Sequence, residues 1–206
     1  MPFDYKKEQK ELYQPKTTPS RIDVPEMSFI VMSGKGDPNR ETFKAAVEVL
    51  YSLSYAIKME SKAVLEYVVP PLEGIWWADC DISDKDKFEW VIMLRQPDFV
   101  TNEVFETTKS VLKTKKKHLD ITAARLERFT EGQCAQLMHI GSYDNEPSTI
   151  EMLKKFVEES GYDFDIADHT IKTLSRRHHE IYLSDPRKTV SDKLKTIIRY
   201  PIKKVL

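Results

Sequence analysis

The chain has 206 residues, 40% of them hydrophobic and 32% charged, which suits one sizeable folded domain rather than several independent ones. Its 32 basic and 33 acidic residues leave a net charge of −1, which excludes the basic excess of a nucleic-acid binder. No run of about 18 apolar residues occurs, and the N-terminal MPFDYKKEQKELYQ lacks the apolar core of a signal peptide, so a cytoplasmic chain without membrane contact is expected.

Residues 1–27, punctuated by Pro15, Pro19 and Pro25, predict an arm laid along the body, at most briefly helical over 6–13. The apolar stretch 27–32 predicts a strand that leaves through the turn cluster SGKGDPN. That cluster is no phosphate loop, because it has no Gly five before Lys35 and no Ser or Thr after it. Over 40–60, Phe43, Ala46, Val47, Leu50, Leu53 and Ile57 recur at three- and four-residue steps, the pattern of one buried helical face. The runs 72–78 and 88–94 flank a charged turn and read as a hairpin. In the second run Phe88, Trp90, Ile92 and Leu94 share a face.

Residues 101–112 predict a helix, and the basic run 113–118 behind it reads as that helix's solvated end. Residues 121–129 read as a short helix or a bend, and 134–140 as an apolar strand ahead of a second turn cluster, GSYDNEPS. A helix follows to Gly161, then a strand at 178–185, a short helical turn at 191–194 and a last strand at 196–205. Cys80 and Cys134 lie far apart and read as small buried hydrophobes. The five histidines show no metal-ligand spacing, so neither a metal nor another cofactor is expected.

The element order repeats. Shifting the chain by 107 positions superposes Gly34 on Gly141, Asp37 on Asp144, Thr42 on Thr149 and Tyr55 on Tyr162, and aligns apolar positions of the two helices. The expected fold is therefore α+β. Tandem strand-helix-strand-strand modules would join antiparallel sheets around a central groove, with helices on the outer face. One domain spans 1–206, with the arm at 1–27, a first repeat at 28–96, a connecting helical segment at 97–131 and a second repeat at 132–206.

The stretch 178–185 stands out. As a strand it sends His178, Glu180, Tyr182 and Ser184 to one face and His179, Ile181 and Leu183 to the other. With the apolar face packed under helices, the Glu and Tyr face suits the floor of a cleft. The same alternation also fits the wet side of an ordinary antiparallel strand, on which Glu180 is merely solvated.

The string HHEIYLSDPRKT followed by DKLKTIIRYPI, the loop GKGDPN, the EGIWW strand and the segment MHIGSYDNEPSTIEML together resemble the GyrI-like small-molecule-binding family. That family includes effector-binding domains of multidrug-sensing transcription activators and a proposed gyrase inhibitor. The resemblance runs from about Tyr5 to Lys203 and is most specific over 178–200. It implies a lipophilic, planar or aromatic ligand held by a buried acidic residue, for which Glu180 is the matching position. A subgroup resembling this chain hydrolyses the cyclopropane of DNA-alkylating antibiotics, which implies a detoxifying hydrolase with Glu180 as general base. Its pKa would be raised by desolvation. The alternative is a non-catalytic binder of drugs or effectors, or a gyrase-interacting protein.

Tyr182, about 7 Å along the strand from Glu180 at ~3.3 Å per residue, would donate to a developing oxyanion or stack on the ligand. Trp76, Trp77, Trp90 and Phe88 offer planar walls, although adjacent Trp76 and Trp77 face opposite ways and cannot both line the groove. Phe88 and Trp90 fit a helix-facing core as well as a pocket. Tyr143 at the groove mouth, Met138 and His178 complete the expected lining.

Overall fold

The computed structural model describes residues 1–78 and 85–205. The charged turn expected between the hairpin strands, and Cys80 within it, lie outside the described residues apart from a single helical turn at Lys85–Lys87. The elements are two short helices, α1 (Tyr5–Glu8) and α2 (Lys10–Tyr13), then β1 (Ser20–Lys35), α3 (Glu41–Glu60), β2 (Leu72–Trp77), β3 (Glu89–Gln96), α4 (Asn102–Lys115), β4 (Arg125–Ile140), α5 (Glu146–Glu159), β5 (Tyr162–Phe164), β6 (His178–Tyr182) and β7 (Lys195–Lys204). No helix among the described residues is long and apolar enough to cross a membrane.

The strands pair antiparallel in the order β4-β1-β3-β2-β6-β7-β5, and β4 also pairs with β7, so six of them close on themselves. The order β1-β3-β2 in one half recurs as β4-β7-β6 in the other, each first strand being followed by a helix. The halves meet where β2 pairs with β6, in a register that sets Trp76 opposite His178, Gly74 opposite Glu180 and Leu72 opposite Tyr182. Two expected boundaries move. β1 begins at Ser20, inside the expected arm, and 121–129, expected as a helix or bend, instead leads into the 16-residue β4 at Arg125.

Closure gives the sheet an inside and an outside. Val24, Phe29, Val31, Ile75, Val91, Met93, Cys134, Ile181 and Ile197 fill the inside, and Leu12 and Tyr13 of the N-terminal helices cap that cluster. Outside, α3 and α4 cover β1 and β3 through Ile30, Leu50, Leu53, Ile57, Ile92, Leu94 and Phe105. On the other half α5 covers β4 and β7 through Ala135, Leu137, Leu153, Val157, Ile198 and Ile202. Each such side chain contributes roughly 1.5–3 kcal/mol by leaving water, so three separate clusters hold sheet and helices together.

A polar group also lies sealed inside the barrel. His179, next to Glu180 but pointing inward, sits between Glu131 (3.0 Å) and Glu73 (3.1 Å), while Arg199 reaches Glu131 at 3.3 Å. The two carboxylates more than offset the desolvation of the imidazole and raise its pKa to about 9. The expected division of β6 is therefore corrected. Its Ile181 face looks into the barrel, and its Glu180 face shares the outer surface with the helices.

Candidate functional site

Between α3 and the start of α5 the outer surface of the β2–β6 seam is left uncovered, and a cleft of about 2040 Å³ opens there. Its floor is built from alternate residues of neighbouring strands: Gly74 and Trp76 on β2, His178, Glu180 and Tyr182 on β6, and Tyr200 on β7. One wall is a stripe of α3, Phe43, Val47, Tyr51 and Tyr55, spaced four residues apart on a face adjoining the one buried in the core. The sequence reading placed Phe43 and Val47 on the buried face. They are partly buried side chains that border the cleft instead.

Gly74 makes the floor possible. A Cβ there would stand 2.6 Å from Trp76 Nε1 and 3.1 Å from the Tyr182 hydroxyl, so only glycine lets these two groups meet across it. Trp76 Nε1 donates to the Tyr182 hydroxyl at 2.8 Å. The Trp76 ring stacks on Phe43 with centroids 5.7 Å apart and meets Phe88 edge-on at 6.1 Å. Tyr143, from the turn before α5, sets its ring edge-on to Tyr182 at 6.0 Å.

Glu180 lies at the centre with its side chain only 12% exposed. His178 Nε2 is 2.7 Å from its Oε1, and Tyr182 and Glu146 also donate hydrogen bonds to it. Burial by itself would raise the pKa of this carboxyl. The His178 bond and charge, with the Tyr182 and Glu146 bonds, outweigh that and hold it below the usual carboxylate range. The raised value expected from desolvation is thus corrected, and Glu180 is ionised at neutral pH. Tyr182's hydroxyl is already committed to Trp76 and Glu180, which favours its stacking role over donation to an oxyanion.

Glu146 went unnoticed in the sequence because an acidic residue at a helix start reads as a favourable partner of the helix dipole. In the fold it is 7% exposed. Burial first, then the charge of Glu180 and the hydrogen bond to it, push its pKa up to about 9. The pair therefore carries one proton and one negative charge at neutral pH. Burial, with the same negative charge nearby, pushes the Tyr143 hydroxyl up to about 12 and raises that of Tyr200. Among the described residues, Glu146, His178 and Glu180 also bring one ligand atom each within 4.8 Å of one another, a grouping that could hold a divalent ion.

The fold brings Glu180, Tyr182, His178, Trp76, Phe88 and Tyr143 to this cleft. Trp77 points the other way. It packs against the barrel interior with the Arg177 guanidinium 4.4 Å over its ring, and reaches only the cleft's border. Trp90 is 3% exposed in the core beneath α3, its ring lying over Gly34 and edge-on to Phe43 at 5.1 Å. It supports the wall from behind and does not line it. Met138 packs with the barrel-interior cluster and is no lining residue either.

The residue-level picture is matched by wider similarity. A curated protein with significant similarity was not found. Among solved structures, an uncharacterised conserved protein from Listeria innocua is 44% identical with a TM-score of 0.91, the match covering 98% of this chain and 100% of that one. A hydrolase from Listeria innocua is also 44% identical, with a TM-score of 0.88 over the same shares of the two chains. The C-terminal domain of EcmrR shares the fold at 15% identity, with a TM-score of 0.56 over 91% of this chain and 98% of that domain. Residues 17–203 match the family model of the GyrI-like small-molecule-binding domain, and the chain belongs to that family.

Proposed function

We propose that the cleft takes up a planar, lipophilic small molecule and that Glu180 promotes hydrolytic opening of a strained ring in it. The observation that carries this reading is an ionised, nearly enclosed Glu180 on an aromatic floor. The rings of Trp76, Phe43, Phe88 and Tyr143 suit a flat apolar molecule, and the 44% identity to a hydrolase favours turnover over binding alone.

In the step envisaged, a water oxygen bonds to the ring methylene and the strained C–C bond breaks. Its electron pair moves onto the conjugated carbonyl oxygen, and Glu180 takes the proton from the water. Three hydrogen bonds weaken Glu180 as a base, so the driving force must come from strain and from the phenolate being formed. A cyclopropyl dienone supplies both, and adding water destroys its alkylating carbon, which would detoxify it.

The well-satisfied carboxylate equally fits a site that only binds, because nothing in its hydrogen bonding requires turnover. Incubation with a cyclopropane-bearing alkylator, followed by mass analysis for the gain of one water, separates the two readings. The wild type is expected to convert the compound, and Glu180→Gln to bind it without conversion. An unchanged compound after long incubation with wild type would sink the hydrolytic reading.

A further inference from the structure

We infer that Tyr200 is a second catalytic residue, the hydrogen-bond donor to the substrate oxygen on which the electrons of the opened ring come to rest. This rests on the hydrolytic reading and adds a residue to it. The step calls for such a donor, because negative charge develops on that oxygen while Glu180 works at the other end of the ring. Tyr182 does not fill the role, since its hydroxyl accepts from Trp76 and donates to Glu180.

Tyr200 lies on β7, next to β6, and lines the cleft floor. Arg199 pairs with His179 and Ile198 with Glu180, so Tyr200 falls opposite His178 and diagonal to Glu180 on the outward face. Diagonal neighbours on paired strands stand about 7–8 Å apart. In a cyclopropyl dienone the carbonyl oxygen and the spiro carbon sit at opposite ends of the six-membered ring. A dienone laid along the floor with its methylene at Glu180 therefore carries its oxygen toward Tyr200.

Packing fixes the ring of Tyr200 and leaves its tip open. Phe164 stacks on it with centroids 4.6 Å apart and planes 17° from parallel, and the His178 ring lies 4.8 Å away. The residue is half-buried, and among the described residues no group hydrogen-bonds its hydroxyl, which is not shut off from solvent. A donor held in place and not engaged by the protein costs little to aim at an oxyanion.

In the step, the water oxygen bonds to the methylene, the strained C–C bond breaks and Glu180 takes the water proton. The ring electrons settle on the carbonyl oxygen, and the Tyr200 O–H holds the resulting phenolate by a charge-assisted hydrogen bond without giving up its proton. On release the phenolate takes a proton from solvent and Glu180 returns its own. The net change is one water added to the substrate.

The test compares Tyr200→Phe, which keeps the ring and its stacking, with wild type, Tyr143→Phe and Glu180→Gln on a spirocyclopropyl cyclohexadienone probe. Tyr200→Phe should lower kcat by about a hundredfold with little change in KM. Its melting temperature should match wild type, because the hydroxyl loses no partner in the protein. Independently of turnover, it should bind para-nitrophenolate about tenfold more weakly than wild type does and bind para-nitroanisole equally well.

A Tyr200→Phe enzyme with wild-type kcat, alongside an inactive Glu180→Gln, overturns this inference and spares the hydrolytic reading. A loss of kcat confined to Tyr143→Phe does the same and moves the donor to the cleft mouth. Equal weakening of phenolate and anisole binding in Tyr200→Phe overturns the inference too, since the hydroxyl would then only shape the floor. A wild type that leaves the probe intact overturns the hydrolytic reading and the donor role with it.

Discussion

Replacing His179 with Gln removes one positive charge from a group of side chains buried inside the barrel. His179, Glu73 and Glu131 each have side chains 1% exposed, and the imidazole touches Glu131 at 3.0 Å through Nδ1 and Glu73 at 3.1 Å through Nε2. The amide of Gln can keep one of these contacts but cannot balance two carboxylates. Arg199 stays near Glu131 at 3.3 Å, and Tyr13 near Glu73 at 3.4 Å. Breaking a buried pair of this kind costs about 3–5 kcal/mol, a large share of the roughly 5–15 kcal/mol that a folded chain holds in reserve. For a chain of this length that is a drop in melting temperature of roughly 6–20 °C.

The sign of the pH dependence follows from the raised pKa. The folded value of about 9 lies above the usual 6.5, so the stabilisation is complete below about 6.5 and is lost as pH rises through about 9. Thermal unfolding followed by circular dichroism over that window should show the wild type losing stability toward the Gln variant as pH rises. A variant that melts within a degree or two of wild type at neutral pH would refute the reasoning. So would a wild-type melting point that is flat across the window.

Other perturbations act on the cleft itself. Gly74→Ala places a methyl 2.6 Å from Trp76 Nε1, and should break the Trp76–Tyr182 bond, cost about 1–3 kcal/mol and weaken binding of a flat fluorescent ligand. Unchanged melting and unchanged binding would show that the floor yields freely. Trp76→Leu removes the stacked wall against Phe43, and loss of an aromatic pairing worth about 0.5–1.5 kcal/mol predicts two- to tenfold weaker ligand binding by titration. On the hydrolytic reading proposed above, turnover would need Glu180 ionised, and because its pKa is lowered activity should persist at about pH 5 and fail only in stronger acid. A midpoint near pH 6 would contradict the hydrogen bonding described.

Much of this site can be read along the chain because strands and helices have fixed periods. Glu180, His178 and Tyr182 share a face by alternation alone, and the structure keeps them together. Phe88 and Trp90 also share a face by alternation. Yet Phe88 borders the cleft, whereas Trp90 lies under α3, and only the path of that helix across the sheet separates them. Of the second stripe of α3, Phe43 and Val47 read as part of the core face next to it, and Tyr51 and Tyr55, which continue the four-residue spacing, drew no assignment to either face. Met138 was misplaced because its strand also has an inner face, and that face belongs to the barrel interior.

What the residue order determined is local and periodic: the elements, the repeated module, and the face on which Glu180 stands. Tertiary structure decided what faces what. Pairing β4 with β7 closed the sheet, so the side expected to lie under helices became a sealed interior holding His179 between two carboxylates, and the cleft came to share the outside with α3 and α5. The same closure brought Glu146, 34 positions before Glu180 in the sequence, into contact with it and left the two with one proton between them. Neither event follows from periodicity, because the ionisation of a buried carboxyl depends on neighbours that arrive from elsewhere in the chain.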